Sequence, residues 1–239
     1  MRRLRETDGS PSHRRHGRYH MAQCRDVGPT HNQLRGEMSP LFTGLKAAAQ
    51  ACADAEDAAV DTMADLDRAE VRIENAIRDI DAEAEKLDRS DATLNARKAV
   101  FPQGFGAEID PEGEAQLGVL PALRVRLAPF AAKGGMPAAI AELDLAEAGL
   151  RAAVLADAGA EEEVERRFAE ELAARSAIRV QLESAYGRLK DVYKARLALA
   201  ERFFLNEGSR KPKKAKPPGT PAPEAASKAT EKGEEKKPA

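Results

Sequence analysis

The chain has 239 residues, of which 33% are charged and 4% aromatic, with no tryptophan. This composition favours helices that pack through aliphatic side chains over a compact sheet. The net charge of -2 hides a segregation: residues 1–37 carry eight arginines against four acids, residues 38–206 carry 21 basic against 31 acidic residues, and residues 207–239 carry nine against five. No apolar run approaches the roughly eighteen residues that cross a bilayer. Two cysteines are too few for a disulfide framework, so we expect a cytoplasmic protein.

The first segment, residues 1–37, mixes Gly, Pro, Ser, Arg and His with little apolar periodicity, which predicts disorder. Four potential metal ligands in it are spaced by three, four and four residues: His13, His16, His20 and Cys24. On a helix they would share one face and could bind zinc. Gly17 interrupts the pattern without apolar support, so we favour a segment that binds no metal. A second hypothesis places the start of translation at Met38, where the composition changes.

The next stretch, residues 40–98, has an apolar residue at every seventh position: Leu45, Cys52, Ala59, Leu66, Ile73, Ile80, Leu87 and Leu94. A second column lies three residues earlier, so the pattern predicts one long helix with a coiled-coil seam. Ser39 and Pro40 are a suitable N-cap and first residue. A third column, rich in alanine, indicates either several neighbouring helices or close approach over Ala. We interpret Glu56, Glu70 and Asp91, which interrupt the second column, as structural residues rather than metal ligands.

The connector, residues 99–137, contains five prolines and no heptads, which predicts short helices broken at Pro121. Its three phenylalanines have two alternative roles: Phe101, Phe105 and Phe130. They are the candidate partner-binding surface, because long structured connections often carry function. The alternative, which we favour, is that these rings cap the end of the helical bundle.

Heptads resume in residues 138–206, which predicts a second long helix with a break near 157–160, where Gly159 and a seam aspartate weaken the pattern. An antiparallel return would place the basic part, 164–206, beside the acidic stretch 40–70. The predicted fold is therefore all-α: an elongated antiparallel coiled-coil hairpin, or helical bundle, with short helices in the connector and disordered termini.

The tail, residues 207–239, is rich in Lys, Pro, Ala and Glu, which predicts disorder. It begins with a basic cluster that is a candidate phosphate-binding site: Arg210, Lys211, Lys213, Lys214 and Lys216. Without an aromatic residue nearby, any binding of nucleic acid there would be electrostatic and weak.

No catalytic residue, metal site or cofactor site is predicted from the sequence. A Ser-His-Asp or Cys-His arrangement needs a histidine in the folded part, and every histidine precedes residue 38. We therefore expect a non-enzymatic coiled-coil module that has a structural role or binds a protein partner or further copies of itself. The alternative is a nucleic-acid-associated protein that uses its basic tail. A more distant one is an enzyme with an unfamiliar carboxylate or metal site.

Overall fold

Two long antiparallel helices form the body of the protein, and the structure, a computed structural model, describes residues 4–206. Seven α-helices and one 3₁₀ turn lie in this range: α1 (Ser10–Gln23), α2 (Pro29–Ser90), α3 (Ala96–Val100), α4 (Gly106–Ile109), α5 (Gly113–Leu127), the 3₁₀ turn (Ala128–Phe130), α6 (Met136–Val192) and α7 (Leu197–Glu201). The described part of the chain has no strand. The long helices α2 and α6 pack against each other, which confirms the predicted all-α antiparallel hairpin.

The register of the hairpin is given by polar pairs between α2 and α6. The Thr62 hydroxyl donates to Asp157 at 3.3 Å, and Arg188 makes an ion pair with Glu37 at 2.8 Å. The acidic stretch 40–70 therefore lies beside both the acidic and the basic parts of α6. The expectation that it would lie beside the basic part, 164–206, is therefore correct only for the first half of the stretch, because the connector is too short for a larger offset between the helices.

The helix α2 begins at Pro29, eleven residues before the predicted start, and Pro40 lies inside it. The apolar stripe explains this extension, since it continues backwards through Leu34 and Met38, which are both fully buried. Burial of these side chains outweighs the one backbone hydrogen bond that a proline removes. The prediction of disorder for residues 1–37 thus differs from the structure, in which the described part of that segment contains α1 and the first turns of α2.

Two hydrophobic cores lie at opposite ends of the hairpin. The connector core joins the second half of α2 to the first half of α6 and to the short helices, with fully buried residues that include Ile73, Ile77, Ile80, Leu120, Leu123 and Leu143. The terminal core joins α1, the start of α2, the end of α6 and the segment around α7, through Leu34, Met38, Leu45, Ile178, Leu189 and Phe204. Between the cores the hairpin consists of α2 and α6 alone.

The middle of the hairpin packs through small side chains. Ala55 is buried, and Ala59 and Thr62 are half-buried on the side of α2 that faces α6. Of the two alternatives for the third column, close approach over alanine is the one found here. Glu56, one column further round, is exposed, and the carboxylate of Glu70 accepts a hydrogen bond from the N–H of Gly113 at 2.8 Å. Glu56 therefore faces solvent, whereas Glu70 faces the start of α5.

Two predicted breaks are absent, and both long helices end early, α2 at Ser90 rather than at residue 98. The helix α6 continues through Gly159, which is exposed and costs about 1 kcal/mol relative to alanine, a small cost within a helix of 57 residues. The helix α5 contains Pro121, whose ring is exposed while Leu120 and Leu123 are buried on the opposite side. The helix α6 ends at Val192 rather than continuing to 206, because the chain turns back to pack the last aromatic residues against α1 and α2.

Candidate functional sites

All four histidines of the chain lie in the terminal core. His13, His16 and His20 occupy the inner face of α1, and His31 lies in the first turn of α2; each is at most 6% exposed. The spacing of three and four residues correctly indicated a shared helical face. Gly17 does not interrupt that face, because it packs against α2 and α6. The expectation that no histidine lies in the folded part is therefore wrong.

Two of these histidines attach the C-terminal aromatic residues to the first helices. A ring nitrogen of His20, Nδ1, lies 3.2 Å from the carbonyl oxygen of Phe203, and the same ring stacks on Phe204 with centroids 5.0 Å apart. The Nε2 of His31 lies 3.0 Å from the hydroxyl of Tyr193, and its ring packs on Phe203 at 4.8 Å. These contacts hold α1, α2 and the end of α6 together.

The surroundings of these groups favour their neutral forms. Burial lowers the pKa of His20, although the hydrogen bond to the Phe203 carbonyl acts in the opposite direction, and burial also lowers the pKa of His31. Burial raises the pKa of the Cys24 thiol to about 11, so the reactive thiolate is disfavoured. Neutral imidazoles packed on aromatic rings and a protonated thiol indicate a structural role.

The structure does not bring together the four ligands of the zinc site that the sequence offered as an alternative. The Sγ of Cys24 lies 3.7 Å from Nε2 of His20, but the Nδ1 of His13 faces the carbonyl oxygen of Gly9 at 3.2 Å. Residues 4–206 contain no group of three or more His, Cys, Asp or Glu side chains arranged to hold a metal ion.

The phenylalanines proposed as a partner-binding surface lie in the connector core. Phe101 and Phe130 are 4% and 7% exposed, and Phe105 packs against the same cluster while remaining half-buried. The Nζ of Lys133 lies over the Phe130 ring at 5.6 Å. The favoured alternative, rings that cap the end of the bundle, describes Phe101 and Phe130. The other predicted site, the basic cluster from Arg210 to Lys216, lies outside the described residues.

A third layer of helix covers one side of the hairpin at both ends but not in the middle. At one end, α1 lies over Phe42 of α2 and contacts Glu171 and Arg175 of α6 through Ser10. At the other end, α5 begins against Glu70, and its Arg124 makes an ion pair with Glu147. Phe42 and Glu70 belong to one heptad column of α2, and Glu147 and Arg175 to one column of α6. The two covering helices therefore lie on the same side, with a gap between them.

The gap exposes the residues that lie between these contacts in the same two columns. Met63 on α2 is 53% exposed, and Phe168 on α6 is 46% exposed. Cys52 lies beside Glu171, which Ser10 of α1 contacts, so from Cys52 to Glu70 the gap spans 18 residues, or about 27 Å at 1.5 Å per residue. We call this surface the third-layer gap. The heptad pattern identified both columns, but it predicted that their residues would be buried between α2 and α6.

Acidic residues surround the third-layer gap. Residues 54–70 contain seven acids and one basic residue, and residues 154–170 contain six acids and two arginines. Those arginines, Arg166 and Arg167, already make ion pairs with Glu163 and Glu170 on their own helix. The gap therefore combines exposed apolar side chains with a strongly negative border.

A groove between α1 and the start of α2 has the opposite charge. One part, of about 380 Å³, is lined by Arg14, Arg15 and Arg18, and the adjoining part, of about 320 Å³, by Arg18, Arg25 and Arg35. Phe42 lines both parts. We call this the arginine groove. Sequence analysis missed it because the segment was expected to be disordered, although the spacing of 14, 18 and 25 indicates one helical face.

Charge separates along the whole hairpin. The end that contains α1, residues 4–53 and 171–205, carries 14 basic against eight acidic residues, a net charge of +6. The remainder, residues 54–170, carries 13 basic against 27 acidic residues, a net charge of -14.

Comparisons with known proteins found no match among protein families, curated proteins or solved structures. Within residues 4–206, no helix is both long and apolar enough to cross a membrane. Inferences about function therefore depend on the surfaces described above.

Proposed function

We propose that the protein is a non-enzymatic coiled-coil interaction module that binds a basic amphipathic helix of a partner protein in the third-layer gap. The observation that carries this proposal is the interruption of the third layer. The sides of α2 and α6 that α1 and α5 cover at the two ends are left exposed in the middle, with Met63 and Phe168 facing outwards.

The shape of the gap favours a helix as the occupant. Its length of about 27 Å corresponds to a helix of about 18 residues. A helix laid there would follow the line on which α1 and α5 already pack and would complete a continuous three-helix layer. Helices with an apolar stripe bind grooves of this kind through side chains spaced by three and four residues.

The charge of the gap favours a partner with basic flanks. A second copy of this chain that offered its own gap would bring together segments with 13 acids against three basic residues on each side. Like charges placed opposite one another disfavour such a pair. A helix with lysines or arginines beside its apolar stripe would instead complement both the exposed rings and the acidic border.

The proposal is tested with a fluorescent 18-residue helical peptide that has a leucine stripe flanked by lysines. Binding to the full-length protein is measured by anisotropy at about 150 mM salt, where screening weakens purely electrostatic contacts. Phe168→Ala removes a half-exposed ring whose burial contributes on the order of 1 kcal/mol, so we expect about fivefold weaker binding.

The matched control is Leu155→Ala, an exposed residue of α6 that lies about 140° around the helix axis from Phe168. The Leu155→Ala variant should bind the peptide with the same affinity as the unchanged protein. A second control peptide has every leucine replaced by alanine and should bind at least tenfold less tightly. Equal affinities for Phe168→Ala and Leu155→Ala would show that charge alone attracts the peptide, and the proposal would be abandoned.

A further inference from the structure

Four arginines of the arginine groove are available to a ligand. Arg14 is half-buried, and Arg18, Arg25 and Arg35 are exposed. Within residues 4–206 none of these four makes an ion pair, although most exposed arginines on the rest of α2 are paired with acids of their own helix. Guanidinium groups bind phosphate oxygens in a bidentate manner. The groove therefore presents unpaired phosphate-binding groups.

The arrangement of these arginines follows a line. Arg14 lies on α1, Arg25 lies in the turn two residues beyond the end of α1 at Gln23, and Arg35 faces them from the antiparallel start of α2. No acidic side chain of the described residues lines either part of the groove. A ligand with several phosphates in a row would meet positive charge along its whole length.

An aromatic ring lies on the floor of the same groove. Phe42 is half-buried and lines both parts, and Met21 and Ala22 lie beside it. A basic groove with an aromatic ring on its floor is the arrangement by which proteins bind single-stranded nucleic acid, because the strand's phosphates contact the arginines while an unpaired base stacks on the ring. The basic cluster of the tail was expected to bind nucleic acid weakly because it has no aromatic residue nearby. The arginine groove does have one, Phe42.

We infer that the arginine groove binds a short single-stranded segment of DNA or RNA without strong sequence preference. This binding site is separate from the third-layer gap and does not depend on the function proposed above. The acidic middle of the hairpin repels the same ligand, which confines binding to the end that contains α1.

Two other anionic partners fit the groove less well. An anionic membrane surface would need exposed apolar side chains, but the exposed residues of α1 include no large apolar side chain: they are Pro11, Arg15, Arg18, Ala22 and Gln23. An acidic peptide could pair with the arginines, but its carboxylates offer no planar ring to stack on Phe42. Both serve as alternatives in the experiment.

The experiment measures binding of fluorescein-labelled dT12 to the full-length protein by anisotropy from 50 to 200 mM salt. Four neutralised phosphates predict a log-log slope of about -3, which is roughly a fifty-fold loss of affinity over this range. Replacing Arg14, Arg18, Arg25 and Arg35 by alanine should make the slope shallower by about 3. The matched control replaces four arginines of α2 outside the groove by alanine: Arg68, Arg72, Arg78 and Arg89. It removes the same charge and should keep the slope.

A third variant separates the groove from the tail by replacing the five basic residues between Arg210 and Lys216 with alanine. It should retain a slope of about -3. Phe42→Leu keeps an apolar side chain under α1 but removes the aromatic face, and should weaken binding about fivefold or more without changing the slope. Far-UV circular dichroism checks that each variant keeps its helices.

The inference is overturned if the groove variant binds as the unchanged protein does, or if only the tail variant loses binding. It is also overturned if Phe42→Leu leaves the affinity unchanged, since contact with the phosphate backbone alone would then account for binding. Equal competition by polyglutamate, or binding to vesicles of anionic lipid in preference to dT12, would assign the groove to another class of ligand.

Discussion

Replacing Gly17 by alanine tests the packing of α1 on the long helices. A Cβ atom at this position would lie 3.6 Å from Cδ1 of Ile178, Sδ of Met38 and Cδ2 of Phe42, which are ordinary van der Waals distances. The methyl group therefore fits without displacing its neighbours. Alanine also favours the helix by about 1 kcal/mol relative to glycine, so the free energy of unfolding should rise by about that amount. For a chain of this size the melting temperature should rise by about 2–4 °C.

Thermal unfolding followed by circular dichroism at 222 nm measures the effect, with urea unfolding as a second method. Gly17→Leu is the comparison, because a larger side chain cannot fit where the contacts are already close, and it should destabilise by about 1–3 kcal/mol. A melting temperature that falls in Gly17→Ala would show that α1 does not pack in this way. Equal melting temperatures for the two variants would show that this face of α1 is open to solvent.

Three further predictions concern the same end of the molecule and the register. Deleting residues 1–37 should lower the melting temperature and blunt the cooperativity of unfolding, because the deletion uncovers the terminal core; an unchanged melting curve would contradict this. Because burial lowers the pKa values of His20 and His31, the unfolded chain takes up protons first as the pH falls below about 6.5, so the free energy of unfolding should drop between pH 7 and 5.5. Replacing both by asparagine should flatten that dependence, and an unaltered dependence would assign it to other groups. Cysteines at Thr62 and Asp157 should be joined within one chain by a short bifunctional reagent, and products found only between chains would refute the hairpin.

The long helices could be predicted from the sequence because heptads depend only on local spacing. The start of α2 could not, since Pro40 is a strong local signal for a helix start. That signal is overridden by burial of Leu34 and Met38 under α1, which depends on residues distant in the chain. The absence of a break at Gly159 has a different cause, because one glycine in a long helix costs only about 1 kcal/mol.

The candidate sites were less predictable than the fold. The third-layer gap depends on which columns of α2 and α6 are covered by the short helices, and the periodicity of the sequence does not predict this. The arginine groove depends on α1 packing against α2, whereas composition alone predicted disorder. In both cases the residue types were visible, but their neighbours came from other segments of the chain. The spacing of His13, His16 and His20 correctly predicted that they share one face of a helix. The aromatic residues that pack on that face could not be predicted, because they lie far along the sequence.

The charge separation along the hairpin gives the molecule a large electric dipole moment. The helix α2 alone is 62 residues, or about 93 Å, long, and a net charge of +6 at one end is opposed by -14 over the remainder. A charged molecule that approaches in solution would therefore experience a torque before any contact is made, so that encounters are oriented in advance. Association through either end should accordingly be fast at low ionic strength and slow steeply as salt is added, while the rate of dissociation changes much less.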